Sequence, residues 1–296
     1  IDMSNRIITM QDILKHLQVH IPFDQLLQKH FDKVLRERIN PEIAFNSAIL
    51  DGFKEPDYAS AATLLREAGH SITFHGPFMD LRPGAIDAKI RRVSLERFKQ
   101  VFEIASCFRP RSIVFHPSYD EKYYVSSGPK WLENSIDTWM QLVPLAEGLD
   151  TRIALENVYE ADPGCLGLLL DALPPGRVGF CFDTGHFNAF AESGLEAWIE
   201  RLGSRLIEIH LHDNRGALDE HLPVGEGTFP FARLFAILKE RKLAPILTVE
   251  AHSEKNLART LANIGSLGIL EGFGSPAAAE GQTAPPQRTM PAPGRS

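Results

Sequence analysis

Side chains that can bind a metal ion or move a proton recur along the chain at the ends of short apolar segments. In each case a run of Ile, Val, Leu or Phe leads directly into a His, Asp or Glu. Imidazole and carboxylate groups are common ligands of divalent metals and common proton-transfer groups. The segments span residues 72–78, 113–117, 153–157, 179–186, 209–214 and 247–252, and residues 219–221 add Asp-Glu-His.

The number of these segments matters more than any one residue in them. A single His at the end of a strand is usually a hydrogen-bonded histidine without further function. Carboxylates that converge on one buried place are costly unless a cation lies among them. The pattern therefore predicts a divalent metal site. The mixed nitrogen and oxygen set favours Zn²⁺ or Mn²⁺, with Co²⁺ and Fe²⁺ as alternatives, and the lack of cysteine ligands argues against a structural zinc site.

Strand-like and helix-like segments alternate eight times. The strand candidates are rich in Ile, Val, Leu, Phe and Thr, and the intervening segments space apolar residues by three and four, which is typical of helices. Eight such units predict a single-domain (β/α)₈ TIM barrel, in which chemistry lies at the carboxyl ends of the strands. A doubly wound sheet is the alternative, but the first strand lacks the glycine-rich turn of that fold. The predicted strands are 16–23, 41–46, 71–78, 112–118, 152–158, 178–186, 206–214 and 246–252. The predicted helices include 24–39, 85–108 and 230–242.

The composition divides the chain into three parts. Residues 1–15 carry little pattern and are interpreted as a lead-in, and residues 16–273 form the predicted barrel. Residues 274–296 consist mainly of Pro, Ala, Gly, Gln and Ser. Such a segment buries too little apolar surface to offset its ordering entropy, so we expect a disordered tail.

Charge and cysteine content restrict the class of protein. The net charge of −7 disfavours unspecific capture of nucleic acid, and the presence of only three cysteines, widely spaced and without a CxxC motif, disfavours a disulfide framework. No apolar run approaches the length of a membrane span, and no signal-peptide pattern is recognised. We therefore expect a cytoplasmic protein with no membrane partner.

The ordered set of motifs HGPF, FHP, LEN, FDTGH, HLHDN, DEHLPVGEG and VEAH resembles the xylose isomerase-like TIM-barrel superfamily. The resemblance covers residues 16–268. The superfamily contains sugar and sugar-phosphate isomerases and epimerases, and also the endonuclease IV class of nucleases. Each motif is weak alone, whereas their order along the chain is specific.

In the sugar epimerases of this superfamily, one metal is held by Glu, Asp, His and Glu. The resemblance implies Glu156, Asp183, His210 and Glu250 as the corresponding ligands, with Glu156 and Glu250 also acting as catalytic acid–base groups. It further implies substrate contacts by His186 and Arg215.

In the endonuclease IV relatives, a three-zinc cluster uses a larger set of ligands, and the resemblance implies that this chain retains it. His212 follows His210 by two residues on the same strand face, so the choice between these two imidazoles stays open. The implied set is His75, His116 and Glu156, then Asp183, His210 and Glu250, then His186, Asp219 and His221.

Two reactions fit one to three metals at this site. The favoured hypothesis is a metal-dependent sugar or sugar-phosphate isomerase or epimerase, in which paired glutamates transfer a proton beside a carbonyl. The alternative is a two- or three-metal phosphodiester hydrolase, either endonuclease IV-like or acting on a small phosphodiester such as a nucleotide-like or cobamide loop. A barrel that binds without turnover ranks last, because no acid of the set is missing.

The expected partner is a small molecule, and duplex DNA ranks below it because basic residues are scattered among acids. A homo-oligomer is compatible with the sequence. The basic loop residues are Arg82, Arg109, Arg111, Lys122 and Arg215.

Overall fold

Eight parallel strands close into a barrel in their order along the chain, so the predicted (β/α)₈ fold is confirmed. The computed structural model of the protein describes residues 10–271. Each strand pairs with its neighbours in sequence, and the first pairs with the last. The strands are β1 (Leu17–Pro22), β2 (Asn40–Ala44), β3 (Thr73–His75), β4 (Ser112–Phe115), β5 (Arg152–Glu156), β6 (Val178–Asp183), β7 (Leu206–Leu211) and β8 (Ile246–Val249).

Helices connect the strands and cover the outside of the barrel, as right-handed β–α–β connections require. A π-helix (Leu26–His30) and a 3₁₀-helix (Gly203–Arg205) add to the α-helices. The α-helices are α1 (Met10–Leu14), α2 (Phe23–Gln25), α3 (Phe31–Glu37), α4 (Ser47–Gly52), α5 (Glu55–Glu67), α6 (Ala88–Phe108), α7 (Gly128–Met140), α8 (Val143–Leu149), α9 (Gly164–Asp171), α10 (Thr184–Phe190), α11 (Leu195–Leu202), α12 (Phe231–Glu240) and α13 (Glu254–Leu267).

Side chains alternate between the two faces of each strand, and this alternation separates two clusters of buried apolar residues. The large cluster lies between the sheet and the helices and includes Phe74, Phe115 and Leu155. A small cluster fills part of the barrel interior and includes Val114 and Ala154. Because successive strand residues point to opposite faces, the residues that alternate with the outward Phe and Leu are directed into the barrel.

The pairing of β6 with β7 contains a register shift. Phe180 lies opposite Leu206, but the next residue, Cys181, lies opposite Glu208, so Ile207 is an extra residue in β7. A bulge of this kind re-aims the residues that follow it. Beyond the shift, Asp183 lies opposite His210, which brings two predicted ligands side by side.

The observed elements are shorter than the sequence predicts. The predicted strand 71–78 is reduced to Thr73–His75, because Pro77 has no backbone donor for a further rung of the ladder. The predicted helix 24–39 is divided by the π-helical turn. The predicted helices 85–108 and 230–242 begin later, at Ala88 and Phe231.

The lead-in contains structure that the sequence pattern did not indicate. Residues 10–14 form α1, whose Ile13 and Leu14 are buried in the main core. Residues 1–9 and the predicted tail, 274–296, lie outside the described residues. Between residues 10 and 271, every helix is too short or too polar to cross a bilayer.

Candidate metal centre

A cavity of about 430 Å³ opens at the carboxyl ends of the strands. This is the end of a TIM barrel where active sites lie. Seven of the nine predicted ligands line its walls, and the other two, Asp183 and His210, are fully buried beside them. The seven are His75, His116, Glu156, His186, Asp219, His221 and Glu250.

Glu156, at the end of β5, is surrounded by imidazoles. Its Oε2 lies 3.3 Å from Nε2 of His75, 3.4 Å from Nε2 of His116 and 3.4 Å from Nδ1 of His210. Its Oε1 lies 3.0 Å from Nδ1 of His186. One buried carboxylate thus meets four ring nitrogens that come from four different strand ends.

Glu250, which follows β8, has a similar environment on the other side of His210. Its Oε1 lies 3.1 Å from Nδ1 of His210 and 3.3 Å from Nδ1 of His20. Its Oε2 lies 3.2 Å from Nε2 of His221 and 3.8 Å from Nε2 of His212. His210 is therefore shared by the two glutamates.

Two aspartates complete the cluster. Asp183 Oδ1 accepts a hydrogen bond of 2.6 Å from the backbone N–H of His186 at the start of α10, and its Oδ2 lies 2.8 Å from Nε2 of His212. Asp219 Oδ2 lies 3.4 Å from both Nε2 of His186 and Nδ1 of His221. The three groups of ligands implied by the resemblance are each brought together.

Each of three imidazoles has one ring nitrogen at a fixed acceptor and presents its other, near nitrogen to a carboxylate of the cluster. His75 Nδ1 donates to the carbonyl of the next residue at 2.9 Å, so its Nε2 faces Glu156. His186 Nδ1 lies 3.0 Å from both the Asn157 carbonyl and Glu156 Oε1, so its Nε2 faces Asp219. His210 Nε2 lies 3.2 Å from a carboxylate oxygen of Glu42, to which it donates. The lone pairs of the near nitrogens then face carboxylate oxygens, which is repulsive unless a proton or a metal ion lies between them.

The residues present fit a divalent metal. Among the described residues, His210 Nδ1 is buried without a hydrogen bond, although three carboxylates lie within 3.8 Å of it. Nδ1 of His212 and Oδ1 of Asp219 are also buried without a hydrogen bond, and they lie 3.5 Å from each other. Such atoms are costly in a folded protein, and coordination of a cation would satisfy them.

Both glutamates are held in the ionised form. Burial raises the pKa of Glu156, but the charges of His116 and His210 outweigh it and hold that pKa well below the usual range. Burial also raises the pKa of Glu250, but His210 and His20 outweigh it and hold that pKa low as well. Each carboxylate is thus available as a proton acceptor.

The carboxylates raise the pKa of some imidazoles in the cluster but not of all of them. Burial lowers the pKa of His75, but hydrogen bonding and charge from Glu156 outweigh it and raise that pKa to about 9. For His116 burial prevails and its pKa falls, because two imidazoles facing one oxygen cannot both be charged at low cost. The pKa of His221 rises to about 9, since Glu250 outweighs the burial that lowers it.

Sequence reasoning did not assign three residues of the cluster. His20 and Glu42 belong to β1 and β2, where a lone polar residue has no local signature of function. The alternation of side chains along a strand could have indicated them, because both occupy positions that face the barrel interior. His212 was left open against His210, and the structure buries both rings beside Asp183.

One layer deeper, the barrel contains a carboxyl group with a different environment. Glu208 is fully buried and accepts hydrogen bonds from the hydroxyls of Ser112 at 2.6 Å and Thr248 at 2.5 Å. Burial and the neighbouring charge of Glu42 raise the pKa of Glu208 to about 7. Hydroxyl groups therefore satisfy this carboxyl group, and no imidazole contact to it is present among the described residues.

The predicted substrate contact Arg215 lies apart from the cluster. Its guanidinium pairs with Glu220, and it is 64% exposed and does not line the cavity. Glu226 of the GEG turn is likewise paired, with Arg259.

Asp213 fixes the loop that carries Asp219 and His221. Its carboxylate accepts backbone hydrogen bonds from Gly225 at 3.1 Å, Gly227 at 2.8 Å and Phe229 at 3.1 Å. A Cβ at Gly227 would lie 2.1 Å from a backbone oxygen, so only glycine permits this close approach. In the sequence, the Gly225-Glu226-Gly227 turn was the feature that could have indicated this close approach.

Aromatic contacts pack the imidazoles from above. The Phe78 ring stacks on His116 with a centroid distance of 4.5 Å. His221 is stacked between His212 at 4.0 Å and His252 at 3.9 Å. The rings of this half of the site therefore restrain one another.

The family described as the xylose isomerase-like TIM barrel matches residues 42–267. The chain belongs to this family. The match begins within β2, continues through β8 and includes all nine predicted ligands, which agrees with the resemblance found in the motifs.

A similar protein matches part of this chain. An uncharacterized protein of Methanocaldococcus jannaschii is 28% identical over 186 residues, which are 60% of this chain and 64% of that protein. The matched segment thus spans slightly less than two thirds of that relative.

Two solved structures share the fold. A D-tagatose 3-epimerase-like protein superposes with a TM-score of 0.71 and 22% identity, over 85% of this chain and 97% of that one. A protein of Thermus thermophilus, soaked with zinc chloride, superposes with a TM-score of 0.70 and 22% identity, over 90% of this chain and all of that one.

Proposed function

We propose that the protein is a divalent-metal-dependent isomerase or epimerase of a small sugar. The observation that carries this proposal is the placement of Glu156 and Glu250, which approach Nδ1 of His210 from two strands and line the same cavity. Two ionised carboxylates on one cavity provide a proton acceptor for each side of a bound substrate.

The two glutamates would share the proton transfer. One carboxylate accepts the proton when a C–H bond beside the carbonyl breaks, and the electron pair moves onto the carbonyl oxygen. The new C–H bond forms with a proton from the second glutamate, which must be protonated when the substrate is bound, and the carbon is inverted. Isomerisation instead needs one carboxylate to return the proton to the neighbouring carbon while the hydroxyl proton moves to the former carbonyl oxygen.

Glu156, Asp183, His210 and Glu250 would hold the catalytic metal. When bound, such a cation supplies stabilisation of the negative charge that develops on the substrate oxygen. His186 lies against Glu156 and lines the cavity, so it is placed to contact a sugar hydroxyl. Arg215 would contribute only after leaving Glu220.

Charge in the cavity favours an uncharged sugar over a sugar phosphate. Among the described residues that line the cavity, Arg82 is the single Lys or Arg, and its guanidinium lies 4.5 Å from the centre of the Tyr123 ring. Asp80 and Asp120 line the same wall. A phosphate dianion would meet more carboxylates than cations there.

Exchange with solvent tests the proposal. The protein is loaded with Zn²⁺ or Mn²⁺ and incubated with a panel of ketoses and aldoses in deuterium oxide, and NMR follows deuterium at the carbon beside the carbonyl. We expect incorporation with at least one free sugar, and its loss in Glu156→Gln and Glu250→Gln. Absence of exchange with every sugar, together with hydrolysis of bis-para-nitrophenyl phosphate, would contradict it.

Phosphodiester hydrolysis is the second candidate, and the extra ligands favour it. His75 and His116 face Glu156, while His186 and His221 face Asp219, so the chain offers ligand groups beyond those one metal needs. Two or three ions can activate water and stabilise a leaving oxygen. Metal content by mass spectrometry separates the candidates, because two or three equivalents favour hydrolysis and one favours the isomerase.

A further inference from the structure

Glu42 is a buried carboxylate beneath the metal centre that lies outside the set of predicted ligands. It occupies the inward position of β2 and is fully buried. Its Oε2 lies 3.2 Å from Nε2 of His210, and its Oε1 lies 2.8 Å from Nδ1 of His20. One carboxylate therefore joins two imidazoles from β1 and β7.

The contact with His210 determines which nitrogen of that ring carries the proton. A carboxylate oxygen accepts hydrogen bonds only, so the Nε2 beside Glu42 must be the protonated one. By the same argument, the Nδ1 that faces Glu250, Glu156 and Asp183 holds a proton until a metal ion takes its place. With a metal bound, the proton on Nε2 would leave Nδ1 as the ligand atom.

The acceptor at His210 differs from those at the other two oriented rings. His75 donates its Nδ1–H to a backbone carbonyl, and Nδ1 of His186 lies between the Asn157 carbonyl and Glu156, whereas His210 donates to an acid outside the set of predicted ligands. A carboxylate acceptor makes the imidazole a more basic ligand, and such outer partners typically change metal affinity by about 10- to 100-fold. His210 is also the ring that both Glu156 and Glu250 share.

We propose that Glu42 is a positioning residue that holds His210 in its metal-binding tautomer and strengthens it as a ligand, and that it orients His20 at the cavity wall. This inference rests on the metal centre and is independent of the reaction catalysed there. Glu42 itself touches neither the cavity nor the reacting atoms.

The test compares Glu42→Gln with Glu208→Gln. Both replace a fully buried barrel carboxyl group by an amide of the same shape, but Glu208 bonds to hydroxyls of Ser112 and Thr248. Zinc affinity is measured by competition with a chromophoric chelator, and thermal unfolding of the metal-free chains verifies folding. We expect zinc affinity to fall about 10- to 100-fold in Glu42→Gln and to remain unchanged in Glu208→Gln. Equal affinities in the two variants would overturn the inference.

A second variant separates the two imidazoles that Glu42 contacts. His20→Gln keeps a donor toward Glu42 and leaves the contact with His210 in place. We expect its zinc affinity to fall by less than in Glu42→Gln, because His20 contacts Glu250 whereas the contact between Glu42 and His210 is kept. If it falls as far as in Glu42→Gln, the carboxylate acts through His20, and the assignment to His210 is wrong.

The position of the proton on the His210 ring distinguishes the two possible roles of Glu42, because a purely structural role would leave it unchanged. Heteronuclear NMR of histidine-labelled, zinc-loaded protein should place the His210 proton on Nε2. In Glu42→Leu, which removes the acceptor, we expect the Nε2–H resonance to move upfield and its proton to exchange faster with water. An unmodified protein with the proton on Nδ1 would refute the inference, and a chain that binds no zinc would refute the metal centre itself.

Discussion

The two glutamates of the site have matching surroundings that are built in different ways. The Glu156 side takes its imidazoles from His75, His116 and His186, and two of these are tied to backbone carbonyls. The Glu250 side relies on His221, which comes from a loop, has a positive φ of 49° and is restrained by stacking. Ligands fixed by strand ends are rigid by construction, whereas those on a loop depend on how well the loop is held.

Neutralising each glutamate should have the largest effect and gives the most direct test of the comparison. Glu156→Gln and Glu250→Gln should each reduce turnover by about 10²- to 10⁴-fold, because each removes a proton-transfer group and a metal ligand. Turnover and metal content are measured on the same samples. We expect Glu156→Gln to lose more metal, since it joins two groups of ligands. Retained turnover in both variants would contradict the assignment of the site.

Removing one imidazole near each glutamate should show how many metal ions each side of the site binds. His75→Ala and His221→Ala should each lower the bound metal by up to one equivalent if a cluster of ions is present. Mass spectrometry of protein dialysed against zinc gives the count. If both variants keep the full content of the unmodified protein, these rings act on substrate and a single metal is held elsewhere in the cluster.

Loosening the loop should affect the Glu250 side alone. Asp213→Asn replaces the acceptor of three backbone N–H groups by an amide, and hydrogen bonds to charged groups contribute about 1.5–3 kcal/mol each. We expect a loss of about 2 kcal/mol of unfolding free energy and faster hydrogen exchange in the segment 216–229. Equal acceleration around His75 and His116 would show that the two sides are not independent.

The smallest expected effect concerns Glu160, a buried acid near Glu156, and it is a change in the pH dependence of stability. Burial raises the pKa of Glu160 to about 7, and the backbone N–H of Val158 donates to it at 2.7 Å. The folded chain binds this proton more tightly than the unfolded chain, so stability is lost as pH rises from about 4.5 through 7.

Glu160→Gln should remove that pH dependence. Relative to the unmodified protein, its unfolding free energy should increase by about 2 kcal/mol between pH values of about 5 and 8. Chemical denaturation at both pH values measures the difference. A constant difference across this range would mean that water reaches Glu160 and the Glu156 side is wetter than its burial indicates.

The eight alternating units of the sequence predicted the fold, and the resemblance to the superfamily implied nine residues that the structure brings together. A His or Glu that ends an apolar strand of a closed barrel must face either the core or the interior, and the motif order identified the interior. Glu42 and His20 were missed, since one polar residue in a short strand resembles a satisfied core residue. Arg215 shows another limit, because its pairing with Glu220 depends on the path of a loop.

The contact between Glu42 and His210 has a consequence for the order of events during synthesis. The two residues are 168 positions apart, and they belong to strands near opposite ends of the polypeptide. A nascent chain that has emerged only through β4 already carries His20, Glu42 and His75 but lacks Glu156, His210 and Glu250, which these residues contact in the folded barrel. Metal binding should therefore coincide with the last stage of folding, so the time course of metal binding would report when the barrel is complete.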